Sequence, residues 1–380
     1  MSEAVDAFDA IVIGSGINGL AAAAELAKAG WSVALVERND DLGGFIATEE
    51  RTLPGYRHDT YSSWHPLFVS GPAYAALGDD LHRLGLEYRN TDDWVTASVA
   101  DDGRVTLAHR DPERTAALFA HDRDRETYLA ALDAFVGIAE PFGALLGNEL
   151  WSPSTVRRVL KLARAAGRPG LARLIRDAVT SGRSYCRREF VGDEVDHLWA
   201  PWLLHAGLSP DHASGGLMIP VFAATMHGFG LPVVAGGSAR LVDAFGKLFA
   251  ELGVHVRTAT DVDQVLVDRG RATGVIAGGR TIRARRAVLA SSTPTALVRD
   301  LLPSGSVPAR LADEAARYRY GRGAMQIHVA LSEPPAWREP VLGEVPLIHL
   351  SDGSASTGIT CAQAEAGLLP AKPTVVVGQQ

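Results

Sequence analysis

Three glycines near the amino terminus, Gly14, Gly16 and Gly19, stand at the spacing G-x-G-x-x-G, and an acid, Glu37, follows 23 residues after the first. That pattern suits the binding of a dinucleotide. Gly14 permits a tight turn, Gly16 lets bare main chain approach a pyrophosphate, and Gly19 lets the next helix pack close to the strand before it. The phosphates then meet the free N–H groups and the positive end of that helix. Glu37 is placed to accept hydrogen bonds from a ribose diol, and its charge disfavours a 2′-phosphate.

The surrounding elements have to hold this turn in place, and the pattern predicts that they do. Ala10 to Ile13 reads as a short β-branched strand, the Ala/Leu-rich run to Lys28 as a helix stopped by Gly30, and Ser32 to Val36 as a second strand ending on Glu37. This is a complete βαβ unit, which makes the glycine spacing informative where it would be weak alone. A second block, residues 233–292, reads as a Gly-rich turn, an amphipathic helix and short strands. The helix carries Leu241, Phe245, Leu248, Phe249 and Leu252 on one face. Between the blocks, Asp111 and Pro112 predict a capped helix start, with helical sequence through Phe135.

The residues after Glu37 separate the two dinucleotides, NAD and FAD. The chain continues through Arg38 to the doublet Gly43-Gly44 and then Thr48, so bare main chain is available for a second approach to a ligand. Here the sequence resembles the phytoene desaturases and phytoene dehydrogenase-related flavoproteins, relatives of the amine oxidases. Phe45 departs from the Arg or small residue common at its position in that family.

The resemblance implies an α/β fold: a discontinuous Rossmann-like, GR2-type FAD-binding domain, residues 1–70 with 233–300, and an α+β substrate domain, residues 71–232 with 301–380. It implies FAD as cofactor, contacted by Gly14, Gly16, Gly19, Glu37, Arg38, Gly43, Gly44 and Thr48. Gly236 and Gly237 would lie at the re-entry to the flavin domain. Val262 would give backbone contacts to adenine, and Ala290 to Ser292, with Ser291 at the centre, would end the strand beside the cofactor. The implied activity is transfer of a hydride from a C–H bond of an apolar substrate, an isoprenoid, polyketide or lipid, to flavin N5. A flavin amine oxidase and a redox-neutral polyene isomerase share this front end and stay open. So does a non-catalytic flavin-binding subunit.

Beside the ring the candidates are His58, Asp59, Tyr61, Ser62, Trp64 and His65. Asp59 and His65 are the candidate catalytic residues, able to move a proton or orient substrate; a hydrogen-bonded core role is the alternative for each. Trp199, Trp202, His205, Met226 and His227 either fill a core or line an apolar tunnel. The family's C-terminal segment adds a Gly-rich turn and helix facing the flavin pyrimidine, whereas this sequence ends in the apolar run Pro373 to Gln380. The expectation is a truncated or split protein, with a partner chain supplying that segment.

Composition narrows the remaining classes. The 380 residues carry 37 Lys+Arg against 44 Asp+Glu, net -7, which disfavours a nucleic-acid binder. Mean hydropathy of +0.04 is globular rather than disordered. Two distant cysteines, Cys186 and Cys361, and 12 scattered histidines offer no disulfide framework or metal spacing. The motifs G-x-S-x-G, H-E-x-x-H and the P-loop are missing. The uncharged run His212 to Ala239 is broken by Pro220 and Pro232 and predicts a buried segment, not a membrane span. An amino terminus without a basic, apolar leader predicts a cytoplasmic protein. The stretch 151–189 is strongly basic, with Arg157, Arg158, Lys161, Arg164, Arg168, Arg173, Arg176, Arg183, Arg187 and Arg188. It is read either as a peripheral membrane contact or as a solvated helix face.

Overall fold

The computed structural model describes residues 6–146 and 152–379. The chain divides into two compact units. One contains Met1–Arg89, Val233–Tyr320 and Met325–Ala330; the other contains Asn90–Pro232, Gly321–Ala324 and Leu331–Gln380.

The first unit is built on a six-stranded sheet in the order Val262–Asp268, Arg271–Ala277, Arg280–Ala290, β1 (Asp6–Ile13), β2 (Val33–Val36) and His255–Arg257. Its centre is parallel: Ile11 lies beside Val288 on one side and Ala34 on the other, and Val36 beside Arg257. β2 is Val-Ala-Leu-Val and fully buried, as expected of a strand covered on both faces. Helix α1 (Ile17–Lys28) crosses between β1 and β2 and buries Leu20, Ala23, Ala24 and Ala27. The predicted helix of the second block spans Ala239–Leu252. It buries Leu241, Phe245, Leu248 and Phe249, while Leu252 packs at the rim of the same core.

At both joins the first unit reaches beyond the sequence expectation. Helix Pro72–Arg83 belongs to the first unit rather than the second, because Leu77 and Leu81 are buried in the core formed by α1 and Ala239–Leu252. Residues 301–320 join it too, since Leu301 and Leu302 pack against the Ile11, Val36 and Val275 cluster.

The second unit combines a four-stranded sheet, ordered Val375–Gly378, Leu347–Leu350, Trp94–Val99 and Val105–His109, with a set of helices. The apolar carboxy-terminal run is paired on one side, Val377 opposite Ile348. Asp111 caps its helix as expected, accepting from the Glu113 amide at 2.9 Å, but that helix ends at Ala116 and a second, Asp122–Val136, follows. The uncharged run folds around helix Gly215–Phe229, which buries Ile219, Phe222, Ala223 and Met226. Among the described residues no single helix is long and apolar enough to cross a membrane.

The shared core of the first unit makes a direct prediction. Leu81→Ala should destabilise the protein by about 2–5 kcal/mol, the usual cost of an unfilled Leu site. A urea titration followed by circular dichroism checks this, and an unmoved midpoint would separate helix Pro72–Arg83 from that core.

Candidate functional site

β1 delivers the chain into the turn Gly14-Ser15-Gly16, from which α1 departs. Gly14 holds φ +89°, and its amide donates to the Val36 carbonyl at 2.8 Å, tying the turn to the end of β2. A Cβ on Gly19 would stand 2.0 Å from the Gly14 carbonyl oxygen, so only glycine lets α1 start this close to the strand. A Cβ on Gly16 would meet nothing within 4 Å; here the main chain is bare toward open space. No side chain caps α1 and no acid occupies its first turn, so the amides of Ile17, Asn18 and Gly19 are left for an anion. A cavity of about 330 Å³ lies beside this turn, lined by Asn18, Gly19, Ala22 and residues 289–292.

Glu37 closes the site from the end of β2. It is buried, and its Oε2 accepts from the Ser15 amide at 2.8 Å and the Ser15 hydroxyl at 2.7 Å, while Oε1 accepts from the Asn39 amide at 2.9 Å. Burial pushes the carboxyl pKa up; the hydrogen bonds from Asn39 and Ser15, with the charge of Arg38, outweigh it and hold the pKa below its ordinary value. The group is therefore an anion at neutral pH, and Oε1 keeps a lone pair for a ribose hydroxyl. Ser15 was not singled out in the sequence. It also receives the Gly43 amide on its hydroxyl and its carbonyl, each at 3.1 Å. The only sequence signal was a hydroxyl between the first two glycines. Arg38 is exposed beside this carboxylate.

The second approach is in place as well. Gly44, with φ +61°, sits against Gly16; a Cβ there would be 3.1 Å from the Gly16 Cα. Ser291 donates its amide to the Ile13 carbonyl at 2.8 Å and packs beside Gly14 and Gly19. The chain after His255–Arg257 wraps the Glu37 end of β2, with the Thr260 amide on the Glu37 carbonyl at 2.9 Å; Val262 starts the next strand against the Ile13 and Val36 cluster. Phe45 is exposed at the tip, its ring 5.5 Å from that of Tyr61. Bare main chain, unclaimed helix amides and a buried anion converge in one unit, and this donor set fits a dinucleotide.

Asp59 and His65 both hold hydrogen bonds within the first unit. Asp59 Oδ1 accepts from the Thr48 hydroxyl at 2.6 Å, the Ser238 amide at 2.8 Å and the Ser238 hydroxyl at 2.9 Å. Thr48 in turn accepts from the Ala239 amide at 3.0 Å, and a Cβ on Gly237 would sit 2.5 Å from Thr48. Asp59, Thr48 and Gly237 thus latch β3 (Thr48–Glu49) and β4 (His58–Asp59) to the start of helix Ala239–Leu252. Gly236 precedes them in the same turn at φ +80°. His65 is buried with Nδ1 2.9 Å from the Tyr88 hydroxyl and Nε2 3.2 Å from that of Ser62, and burial lowers its pKa. Both ring nitrogens of His65 are within hydrogen-bond reach of hydroxyls, whereas the hydrogen bonds to Asp59 all fall on Oδ1.

Four of the five aromatic and soft candidates of the second unit are core. Trp199, Trp202, Met226 and His227 are buried; His227 takes a hydrogen bond from the Tyr128 hydroxyl at 2.6 Å and donates to the His109 carbonyl at 2.9 Å. His205 faces solvent with its ring stacked on Trp202 and Nε2 3.2 Å from that of the buried His349. Among the described residues no cluster of His, Cys, Asp or Glu is arranged to hold a metal.

Comparison with known proteins agrees with this geometry. The family described as flavin containing amine oxidoreductase matches residues 17–365. A limonene dehydrogenase subunit of Castellaniella defragrans is 28% identical over 72% of this chain and 48% of its own. The neurosporene-forming phytoene desaturase of Cereibacter sphaeroides is 28% identical over 75% of this chain and 53% of its own. The chain spans about half the length of these curated relatives. Among solved structures, an oxidoreductase from Methanosarcina mazei superposes with TM-score 0.55 at 17% identity, covering 81% of this chain and 65% of that one. Putrescine oxidase bound to putrescine does so with TM-score 0.51 at 22% identity, covering 82% and 63%. These two share the fold.

Two measurements test the site and its surroundings. Glu37→Gln removes the charge while keeping the shape, and should weaken FAD binding at least about tenfold through the lost charge-assisted ribose contacts. Titration by flavin fluorescence reads this, and unchanged affinity would remove Glu37 from the site. In the second unit, burial holds His227 at about 4 and His349 well below its ordinary value, whereas the unfolded chain protonates near 6.5. The unfolded state therefore binds more protons below that pH, so stability should fall as pH drops from 6.5 toward 4. Thermal melts across that window should show the loss, and replacing His227 with Gln should flatten it.

Proposed function

The chain belongs to the flavin containing amine oxidoreductase family, and from that premise we propose that it is the FAD-binding part of an oxidoreductase that removes hydride from a C–H bond of an apolar, isoprenoid-like substrate. The observation that carries the reading is one turn that brings together bare main chain at Gly16 and Gly44, the uncapped first-turn amides of α1 and, through Ser15, ionised Glu37. When bound, FAD supplies the two-electron acceptor for the hydride. The chain's own residues bind and orient it. Amides of Ile17 to Gly19 would hold its pyrophosphate, Glu37 would accept from its ribose diol, and the bare main chain at Gly43 and Gly44 would leave room for its flavin half. Ser15 keeps Glu37 aimed, and the latch of Thr48, Asp59 and Ser238 keeps the strands carrying the doublet against the helix behind them.

The apolar substrate class is supported by the names of the relatives, a limonene dehydrogenase subunit and a phytoene desaturase. Association with a further polypeptide segment is supported by an open edge. Strand Arg280–Ala290 pairs with its antiparallel neighbour only through Arg283, so Ala284–Ala290 have β1 alone beside them among the described residues. A strand added there would extend the parallel sheet and cover the cavity next to Ser291.

Visible absorption of the purified chain, before and after adding FAD, is the first test. Oxidised-flavin bands at near one per chain are expected. Anaerobic addition of a terpene hydrocarbon should bleach them and a primary amine should not; bleaching by the amine alone would favour an oxidase of amines. A product of unchanged mass would favour an isomerase. A chain that never takes up flavin would overturn the reading for this polypeptide by itself.

A further inference from the structure

Helix Pro72–Arg83 carries a glycine in its interior, Gly78, which is ordinarily a cost in helical stability. The ring of Tyr74, one turn earlier, lies across it: a Cβ on Gly78 would stand 3.3 Å from that ring. Over this gap the Tyr74 hydroxyl reaches Nε2 of His82, one turn later, at 2.5 Å. The other ring nitrogen of His82, Nδ1, lies 2.7 Å from the Leu86 carbonyl oxygen. A carbonyl can only accept, so Nδ1 carries the ring proton, Nε2 of the neutral ring is bare, and the Tyr74 hydroxyl donates to it. The helix thus holds a phenol against a base of fixed tautomer.

A second pair touches the first. Tyr88, on the short strand Tyr88–Arg89, packs edge-on against the Tyr74 ring with centroids 6.0 Å apart. Its hydroxyl lies 2.9 Å from Nδ1 of His65, whose Nε2 lies 3.2 Å from the Ser62 hydroxyl. The tautomer of His65 that donates from Nε2 to Ser62 accepts from Tyr88 at Nδ1. All of these residues belong to the first unit. They differ in exposure: His65 is buried, the two tyrosines are half-buried and His82 is exposed. Burial, and after it the charge of Asp79, holds the Tyr74 phenol above its ordinary pKa, and burial does the same for Tyr88. Neither phenolate forms at neutral pH, so each phenolic proton leaves only as the ring loses an electron.

We propose that Tyr74 and Tyr88 form a redox-active pair that gives up single electrons to a photoexcited flavin, with His82 and His65 taking the phenolic protons. In each step the flavin gains one electron and the tyrosine O–H bond breaks. The proton forms an N–H bond on the imidazole, leaving a neutral tyrosyl radical beside an imidazolium. Return of the electron and the proton restores the phenol. Exposure decides where the oxidising equivalent rests. Water and the Leu86 carbonyl stabilise the imidazolium of His82, whereas burial lowers the pKa of His65 and favours return of its proton to Tyr88. An electron passing from Tyr74 to the Tyr88 radical therefore moves the oxidising equivalent outward, toward His82. The inference is independent of the dinucleotide site, since flavin free in solution serves as the oxidant.

The test is a blue-laser flash on the full chain mixed with flavin mononucleotide, read by freeze-quench electron paramagnetic resonance. A long-lived tyrosyl signal is expected above the background of the exposed tyrosines Tyr56, Tyr61, Tyr318 and Tyr320. Tyr74→Phe should remove that signal and leave a shorter-lived one from Tyr88; with Tyr88→Phe added, only the background should remain. His82→Gln should slow formation of the Tyr74 radical about a hundredfold, the lower end of what a positioned base contributes. His82→Gly should be slowed alike and regain its rate when free imidazole is added, which a merely structural role of His82 would not produce. Circular dichroism verifies the fold of each variant. On the unaltered chain, deuterated water should slow radical formation, because the O–H bond breaks as the electron leaves. A long-lived signal that survives in the double Phe variant, a His82→Gln rate equal to that of the unaltered chain, no rescue by imidazole, or no effect of deuterated water would overturn the proposal.

Discussion

The first unit depends on one close approach, that of Gly19 in α1 to the carbonyl of Gly14 in the turn before it. Because no Cβ stands between them, the helix begins almost on top of the strand end, and its first amides point at the space above the sheet. Moving α1 outward by the width of a methyl group would break the amide of Gly14 from Val36 and shift Ser291, which packs into the same corner. An uncapped helix start is ordinarily a cost in stability. Here the missing cap leaves donors for phosphate, a local rule given up where a ligand compensates.

The anion at the end of β2 is organised by the same turn. Ser15 gives both its amide and its hydroxyl to Glu37, so the carboxylate is aimed before any ribose arrives. Preorganisation of this kind reduces what binding must spend on ordering side chains. A second buried carboxylate is Asp59. It gathers Thr48 and Ser238 at the start of helix Ala239–Leu252 and so binds the strand pair following the glycine doublet to the discontinuous half of the unit. Each of these two buried acids accepts from the amide and the hydroxyl of one serine, Ser15 for Glu37 and Ser238 for Asp59.

In the second unit, polar groups are buried chiefly to be satisfied. His227 bridges the Tyr128 hydroxyl and the His109 carbonyl, and His197 bridges the Thr106 hydroxyl and the Ser351 carbonyl. Such rings are kept neutral by burial, which makes them packing elements that resist acid poorly.

By itself the sequence determined the dinucleotide turn, Glu37, the glycine doublet and the buried face of helix Ala239–Leu252. Each of these rests on a local requirement, a positive φ, a bare main chain or a 3.6-residue period, that residue type and spacing express directly. Only the tertiary structure decided the rest. Asp59 meets Ser238 across 179 residues and Thr48 meets the Ala239 amide across 191, so whether that carboxylate was reactive or structural was not written in its neighbourhood. Helix Pro72–Arg83 joined the first unit because Leu77 and Leu81 found a core assembled from both blocks. Which stripe of Pro153–Ala178 faced outward was settled the same way, since a helical period specifies that side chains share a face but not what that face will meet.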